Sequence, residues 1–115
     1  MIKLVGMLRR KPGMSPQEFH SYWRNVHAPL VMGVQGFARH VRKYVQSHAV
    51  EAQLVPGADG EPAFDGIAEL WFDSLDDLHR AISDPGYLSE IHPDELRFLD
   101  FPNCVILLVE EVSMR

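Results

Sequence analysis

One cysteine, Cys104, is all that the 115 residues contain. That excludes an internal disulfide and a thiolate metal cluster, and it suits a reducing compartment, so the cytoplasm is the expected location. Positive charge is scarce as well. Eleven Lys and Arg stand against sixteen Asp and Glu, leaving a net charge of -5. The longest basic cluster is RRK at 9–11, so neither nucleic acid nor an anionic membrane surface is the expected partner. Long apolar runs are missing: VILLV at 105–109 is the longest, far too short to span a bilayer. The opening MIKLVGMLRR places Lys3 inside its apolar stretch and its arginines after it, the reverse of a signal peptide. There is no G-x-G-x-x-G and no P-loop, so no nucleotide or other cofactor is expected. Six histidines are present, but none forms H-x-H or H-x-x-x-H, and His20 and His27 stand too far apart to share an ion. No metal site is expected.

What is present is an ordinary globular composition, 46% hydrophobic and 23% charged with 8 Gly and 8 Pro, which predicts a single domain over residues 1–115. Residues 1–8 (MIKLVGML) read as a strand, and KPG at 11–13 as a turn. Ser15-Pro16-Gln17-Glu18 then has the S-x-x-E form of a capping box with proline at the first helical position. In the helix that follows, Phe19, Tyr22, Trp23, Val26, His27 and Leu30 recur every three or four residues and form one core-facing stripe. Pro29 lacks an N–H and disfavours helix at Ala28, which predicts an end or a kink beside His27.

Residues 37–48 (FARHVRKYVQSH) alternate and predict a long strand with His40, Arg42, Tyr44, Gln46 and His48 on one face. Residues 54–66, rich in Pro, Gly and Asp, read as a loop. GIAELWF at 66–72 is a strand, and Ser74 caps a helix that buries Leu75, Leu78 and Ile82 and ends at DPGY, 84–87. A short acidic piece, HPDELRFLD, leads to the last strand in NCVILLVEEV. The order β, α, β, β, α, β with right-handed crossovers predicts an α+β, ferredoxin-like fold: one four-stranded antiparallel sheet with its helices on one side. VILLV and MIKLVGML are apolar on both sides, so the uncovered sheet face needs a partner, and a two-fold homodimer supplies one.

KPGMSPQEFHSYWRNVHAPL, RKYVQSHAV, GIAELWFDSLDDL and the D-E-x-x-F-x-D of the tail together resemble the EthD-like family of the dimeric α+β barrel superfamily. The F-x-x-Y-W-x-x-x-H-x-P spacing from Phe19 to Pro29 is the most specific of these pieces; His92 lies outside the matching tail motif. The resemblance implies a homodimer whose sheets face each other, with a pocket for a small hydrophobic or aromatic molecule between sheet and helices in each subunit. It does not choose a reaction.

The residues that could do chemistry are few. His27, buried beside a helix break, can exchange protons near neutral pH, or else bond carbonyls freed by the break. Tyr44 and His40 are the second pair able to move protons. Phe19, Tyr22, Trp23, Trp71 and His92 are expected to contact a ligand. Glu69, the one charge in its strand, joins them unless it pairs with Arg39, Arg42 or Lys43 of the neighbouring strand. These groups suit a cofactor-independent enzyme that cyclises, dehydrates or isomerises an aromatic or polyketide-like carbonyl compound. The alternatives are cofactor-free oxygen insertion, as in a monooxygenase, and a non-catalytic dimeric carrier of a hydrophobic metabolite.

Overall fold

Residues 1–115 are described by a computed structural model. Four strands, β1 (Ile2–Leu8), β2 (Val41–His48), β3 (Gly66–Phe72) and β4 (Val105–Val109), form one antiparallel sheet in the order β2-β3-β1-β4. This is the ferredoxin-like arrangement. Register places Lys3 beside Trp71, Val5 beside Glu69, and Met7 beside Ile67. Alternation therefore sends Leu4, Gly6, Leu8, Ala68, Leu70 and Phe72 to the helix side, and Lys3, Val5, Glu69 and Trp71 to the bare side.

Helix α1 (Pro16–Tyr22) begins as its sequence predicts: the Ser15 hydroxyl accepts from the Glu18 N–H, and the Glu18 carboxylate accepts from the Ser15 N–H. Ahead of it, Gly13 closes the KPG turn with φ +87°, a backbone that residues with a Cβ rarely adopt. The helix does not stop at Pro29. It widens into a π-helical turn, Trp23–His27, in which the Ala28 N–H donates to the Trp23 carbonyl, and continues as α2 (Ala28–Gly33). A proline ring collides with the carbonyl four residues back, and its missing N–H leaves that carbonyl unbonded. Lengthening the turn by one residue accommodates both. Each residue then advances less around the axis, so Val26 falls short of the core face and is 47% exposed, whereas Phe19, Trp23 and His27 are buried.

The same device recurs. Helix α4 (Leu75–Ile82), capped by Ser74, buries Leu78 and Ala81, with Leu75 left exposed. A second π turn, Tyr87–Ile91, then precedes the His92-Pro93 pair and leads into α5 (His92–Phe98). HPDELRF is thus helical rather than a mere connection, because the widened turn before it accommodates Pro93 as the first one accommodates Pro29.

The strand predicted over 37–48 is shorter at its start. Residues Gln35–Ala38 form one helical turn, α3, and β2 begins at Val41. A bulge between Val41 and Lys43 lets Val41 pair with Phe72 and pack on the core, which breaks the alternation read from the sequence. Residues 49–65 have almost no regular structure; Asp65 anchors their end to β1 by accepting from the Arg10 N–H (2.8 Å) and guanidinium (2.6 Å).

Two apolar clusters lie under the helices. One joins Val31, Val34 and Phe37 to Phe72, Leu78 and Ile91; the other joins Leu8, Phe19 and Trp23 to Phe98 and Leu99. Trp23 can lie flat on the sheet only because residue 66 is glycine, where a Cβ would come within 2.5 Å of the indole. No helix is long and apolar enough to cross a membrane.

Candidate active site

A cavity of about 90 Å³ opens where the two clusters meet, floored by Leu4, Gly6, Ala68 and Leu70 of the sheet. Its rim is made by Phe101, Cys104 and Ile106. The space is smaller than the roughly 150 Å³ that holds benzene in a protein interior. Almost all of the lining is apolar. The ionisable groups besides Cys104 are His27 from the end of the first π turn, Tyr44 from β2 and Glu95 from α5. No lysine or arginine lines it.

Each of the three is held from behind. His27 Nδ1 lies 2.8 Å from Oδ2 of Asp94, which is 1% exposed. With that nitrogen donating to the carboxylate, Nε2 is the unprotonated one in the neutral ring. Asp94 also accepts from the Tyr22 hydroxyl (2.5 Å) and Arg97 (3.2 Å). Burial by itself would raise the Asp94 carboxyl; the bonds from Tyr22, His27 and Arg97 outweigh it and hold the group below the usual carboxylate range. Burial lifts the Tyr44 phenol above its ordinary value, against the lowering effect of hydrogen bonds from Gln46 and Trp23. Glu95 Oε1 accepts from Tyr87 (3.1 Å) and faces His92 Nδ1 (2.9 Å). The Tyr87 phenol is pushed well up by burial and by that carboxylate.

The residues singled out in the sequence separate accordingly. His27, Tyr44 and Trp23 meet at the cavity. Phe19 and Tyr22 stand one layer behind, Phe19 packed at a tilt against Trp23 and Phe98, and Tyr22 bonded to Asp94. His92 backs Glu95. His40 is elsewhere: with β2 starting only at Val41, its ring lies beside Arg39 and 3.7 Å from Asp77 of α4. Glu69 and Trp71 point from the bare side of the sheet. Glu69 pairs with Lys3 of β1 at 2.8 Å, the diagonal neighbour in the β1 register, rather than with a cation of β2. Trp71 lies between the Lys3 and Lys43 ammonium groups, at 5.0 and 4.8 Å, and donates to Glu111. Asp94 and Glu95 open the D-E-x-x-F-x-D piece of the tail but are not among the site candidates read from the sequence; the signal for them is spacing, since Ile91, Glu95 and Phe98 share a helical face and Asp94 lies four residues before Phe98.

Residues 11–102 match the model of the EthD domain. The chain belongs to the EthD family. Among curated EthD-like relatives, it is 33% identical over 97 residues to the conidial pigment biosynthesis dehydratase EthD of Metarhizium robertsii, covering 79% of this chain and 68% of the relative. It is 32% identical over 112 residues to the decarboxylase dmxR15 of a Cryptosporiopsis species, covering 90% and 77%. An EthD-family crystal structure from Bacillus halodurans superposes with a TM-score of 0.71 at 22% identity, covering 97% and 99%. A dimeric ferredoxin-like protein of Bacteroides fragilis superposes at 0.66 with 13% identity, covering 96% and 95%. The cofactor-independent oxygenase SnoaB of Streptomyces nogalater superposes at 0.64 with 14% identity, covering 98% and 94%. At these identities the three likenesses show the ferredoxin-like fold of this chain and choose no reaction for it.

Proposed function

We propose that this EthD-family chain is a lyase-type enzyme that dehydrates a neutral, hydroxylated aromatic or polyketide-like ketone by proton transfer, without a cofactor and as a homodimer. The observation that carries the reading is His27, backed by Asp94 and sharing an apolar cavity with the Tyr44 hydroxyl. Tyr44 donates to the substrate carbonyl. His27 Nε2 removes a proton from the adjacent carbon, the enolate expels the β-hydroxyl, and the imidazolium returns the proton to it. One C–H and one C–O bond break, a C=C bond forms and water leaves. A general acid or base contributes about 10²–10⁴-fold to such a step, and a donor at the developing oxyanion a comparable amount.

Base-promoted loss of water from a β-hydroxy ketone and loss of carbon dioxide from a β-keto acid both pass through an enolate, and relatives named dehydratase and decarboxylase are both similar to this chain. Dehydration is preferred because a substrate carboxylate would find no lysine or arginine in this cavity and would face Glu95. A carrier of hydrophobic metabolites would have no use for the buried His27–Asp94 pair. The test offers the purified protein a neutral β-hydroxy ketone of one fused ring pair and the matching β-keto acid. Enone formation from the ketone, reduced at least tenfold in Tyr44→Phe, is expected; carbon dioxide release from the acid alone would replace dehydration with decarboxylation.

The homodimer is supported by the bare sheet face, where Val5 and the exposed Val105 and Leu107 lie together. Leu108 faces the helix side, yet no helix covers β4 and it is 42% exposed, so it is not a core position. Sedimentation at micromolar concentration should give twice 13.1 kDa. Leu107→Asp should give the single-chain mass, and an unaltered dimer in that variant would move the interface elsewhere.

A further inference from the structure

Gln46 is placed on the helix side of β2, two residues from Tyr44, with both amide hydrogens and the amide oxygen engaged. Its Nε2 donates to the Trp23 carbonyl at 2.9 Å and to the Tyr44 oxygen at 3.3 Å, and its Oε1 lies 2.9 Å from His48 Nε2. The amide cannot be turned over, since Oε1 would then face the Trp23 carbonyl oxygen, acceptor against acceptor. That carbonyl, which also accepts from the Ala28 N–H in the π turn, takes the Gln46 hydrogen on its second lone pair.

The fixed amide orders everything around it. Oε1 must accept, so His48 Nε2 carries a hydrogen. His48 Nδ1, in the neutral ring, is then the acceptor in its 2.7 Å contact with His20 Nδ1, which donates. The His48 ring is gripped between Trp23 and His20, with centroids 4.5 and 4.9 Å away. On the other side, the Tyr44 oxygen receives a hydrogen from Gln46, so its own O–H turns away from that amide, and Tyr44 is one of the residues lining the cavity.

We propose that Gln46 is a positioning residue for Tyr44, locked by the Trp23 carbonyl and His48 so that it presents the Tyr44 hydroxyl hydrogen to the substrate. This rests on the reading of Tyr44 as the carbonyl donor. Gln46→Glu keeps the shape and the acceptor for His48 but removes both donors, and its carboxylate would take the Tyr44 hydrogen out of the cavity. Other charged or titratable groups affect this corner too: Arg24 bears on both histidines, Arg10 and Asp65 on His20, and Glu95 on Tyr44.

The experiment uses protein carrying ¹³Cζ-tyrosine. With only Tyr22, Tyr44 and Tyr87 in the chain, three resonances are followed through an alkaline titration, and Tyr44→Phe assigns one of them. In Gln46→Glu, the Tyr44 titration should move up by about one pH unit or more, because a donor to the phenolate is lost and a carboxylate gained. Tyr22 and Tyr87 should stay in place. Turnover of the hydroxy ketone should fall about tenfold or more, with KM nearly unchanged. Should Gln46→Glu fail to fold, Gln46→Met removes the donors without adding charge and should shift Tyr44 in the same direction. An unmoved Tyr44 titration overturns the positioning role whatever the activity does. Wild-type protein inert towards the ketone, with Tyr44 still shifted in the variant, leaves Gln46 as the group that orients Tyr44 and sinks only the assigned reaction.

Discussion

His27→Gln is expected to lower turnover of the hydroxy ketone by about 10²-fold or more while the protein melts within a few degrees of the wild type. The glutamine amide can still donate to Asp94 Oδ2, the bond that His27 Nδ1 makes at 2.8 Å, so no buried group is left unpaired. What the amide cannot do is accept a proton at the position of Nε2, and general-base catalysis is worth about that factor. Steady-state kinetics beside thermal unfolding separates the two roles. If the histidine were only a clasp between its own helix and α5, activity would fall no further than the folded fraction, and stability would fall by about 1–3 kcal/mol. An active His27→Gln would remove the proton-transfer mechanism altogether.

The largest stability effect is expected at Asp94. It is 1% exposed and accepts from Tyr22, His27 and Arg97 together. Asp94→Ala leaves the His27 N–H and the Tyr22 hydroxyl without their partner and should cost about 3–5 kcal/mol in denaturant unfolding, the usual penalty for breaking a buried charged cluster from one side. Its pH dependence has a definite sign. Burial opposes ionisation, but the three donors prevail and the folded carboxyl titrates below its unfolded value. Such a group stabilises the fold at every pH above its unfolded pKa of about 3.9, and that stability is lost as pH falls through the lower folded value. Wild-type protein should therefore lose this contribution only below about pH 4, and its advantage over Asp94→Asn should shrink across that acid range. Parallel acid limbs for the two proteins would mean that Asp94 does not titrate as a partnered carboxylate.

The two π turns explain why the helices could be read from the chain only in part. Both precede a proline, at Ala28-Pro29 and His92-Pro93, and a proline within an apolar periodic stretch signals a break. Tertiary packing decided otherwise. Burial of Trp23 and His27 on one side and Ile91 on the other favours a widened turn that keeps the helix running over a severed one. Val26 and the DELRF segment are the positions where that difference shows.

What the sequence by itself determined is local. The capping serines Ser15 and Ser74 and the apolar periods set where two helices start and which faces they bury; GIAELWF and the two-sided apolar MIKLVGML and VILLV set strands; element order with right-handed crossovers set the ferredoxin-like sheet. It also placed His27 on the core stripe, since a period of three and four residues carries that information along a single helix. Only the tertiary structure decided what His27 faces. Asp94 is 67 residues away, Tyr44 and Glu95 reach the same cavity from other elements, and the bulge after Val41 separates His40 from Tyr44. Side-chain period is set by the neighbouring few residues, whereas partnership across layers depends on strand register, on a one-residue bulge and on the pitch of a helical turn, none of which leaves a period in the chain.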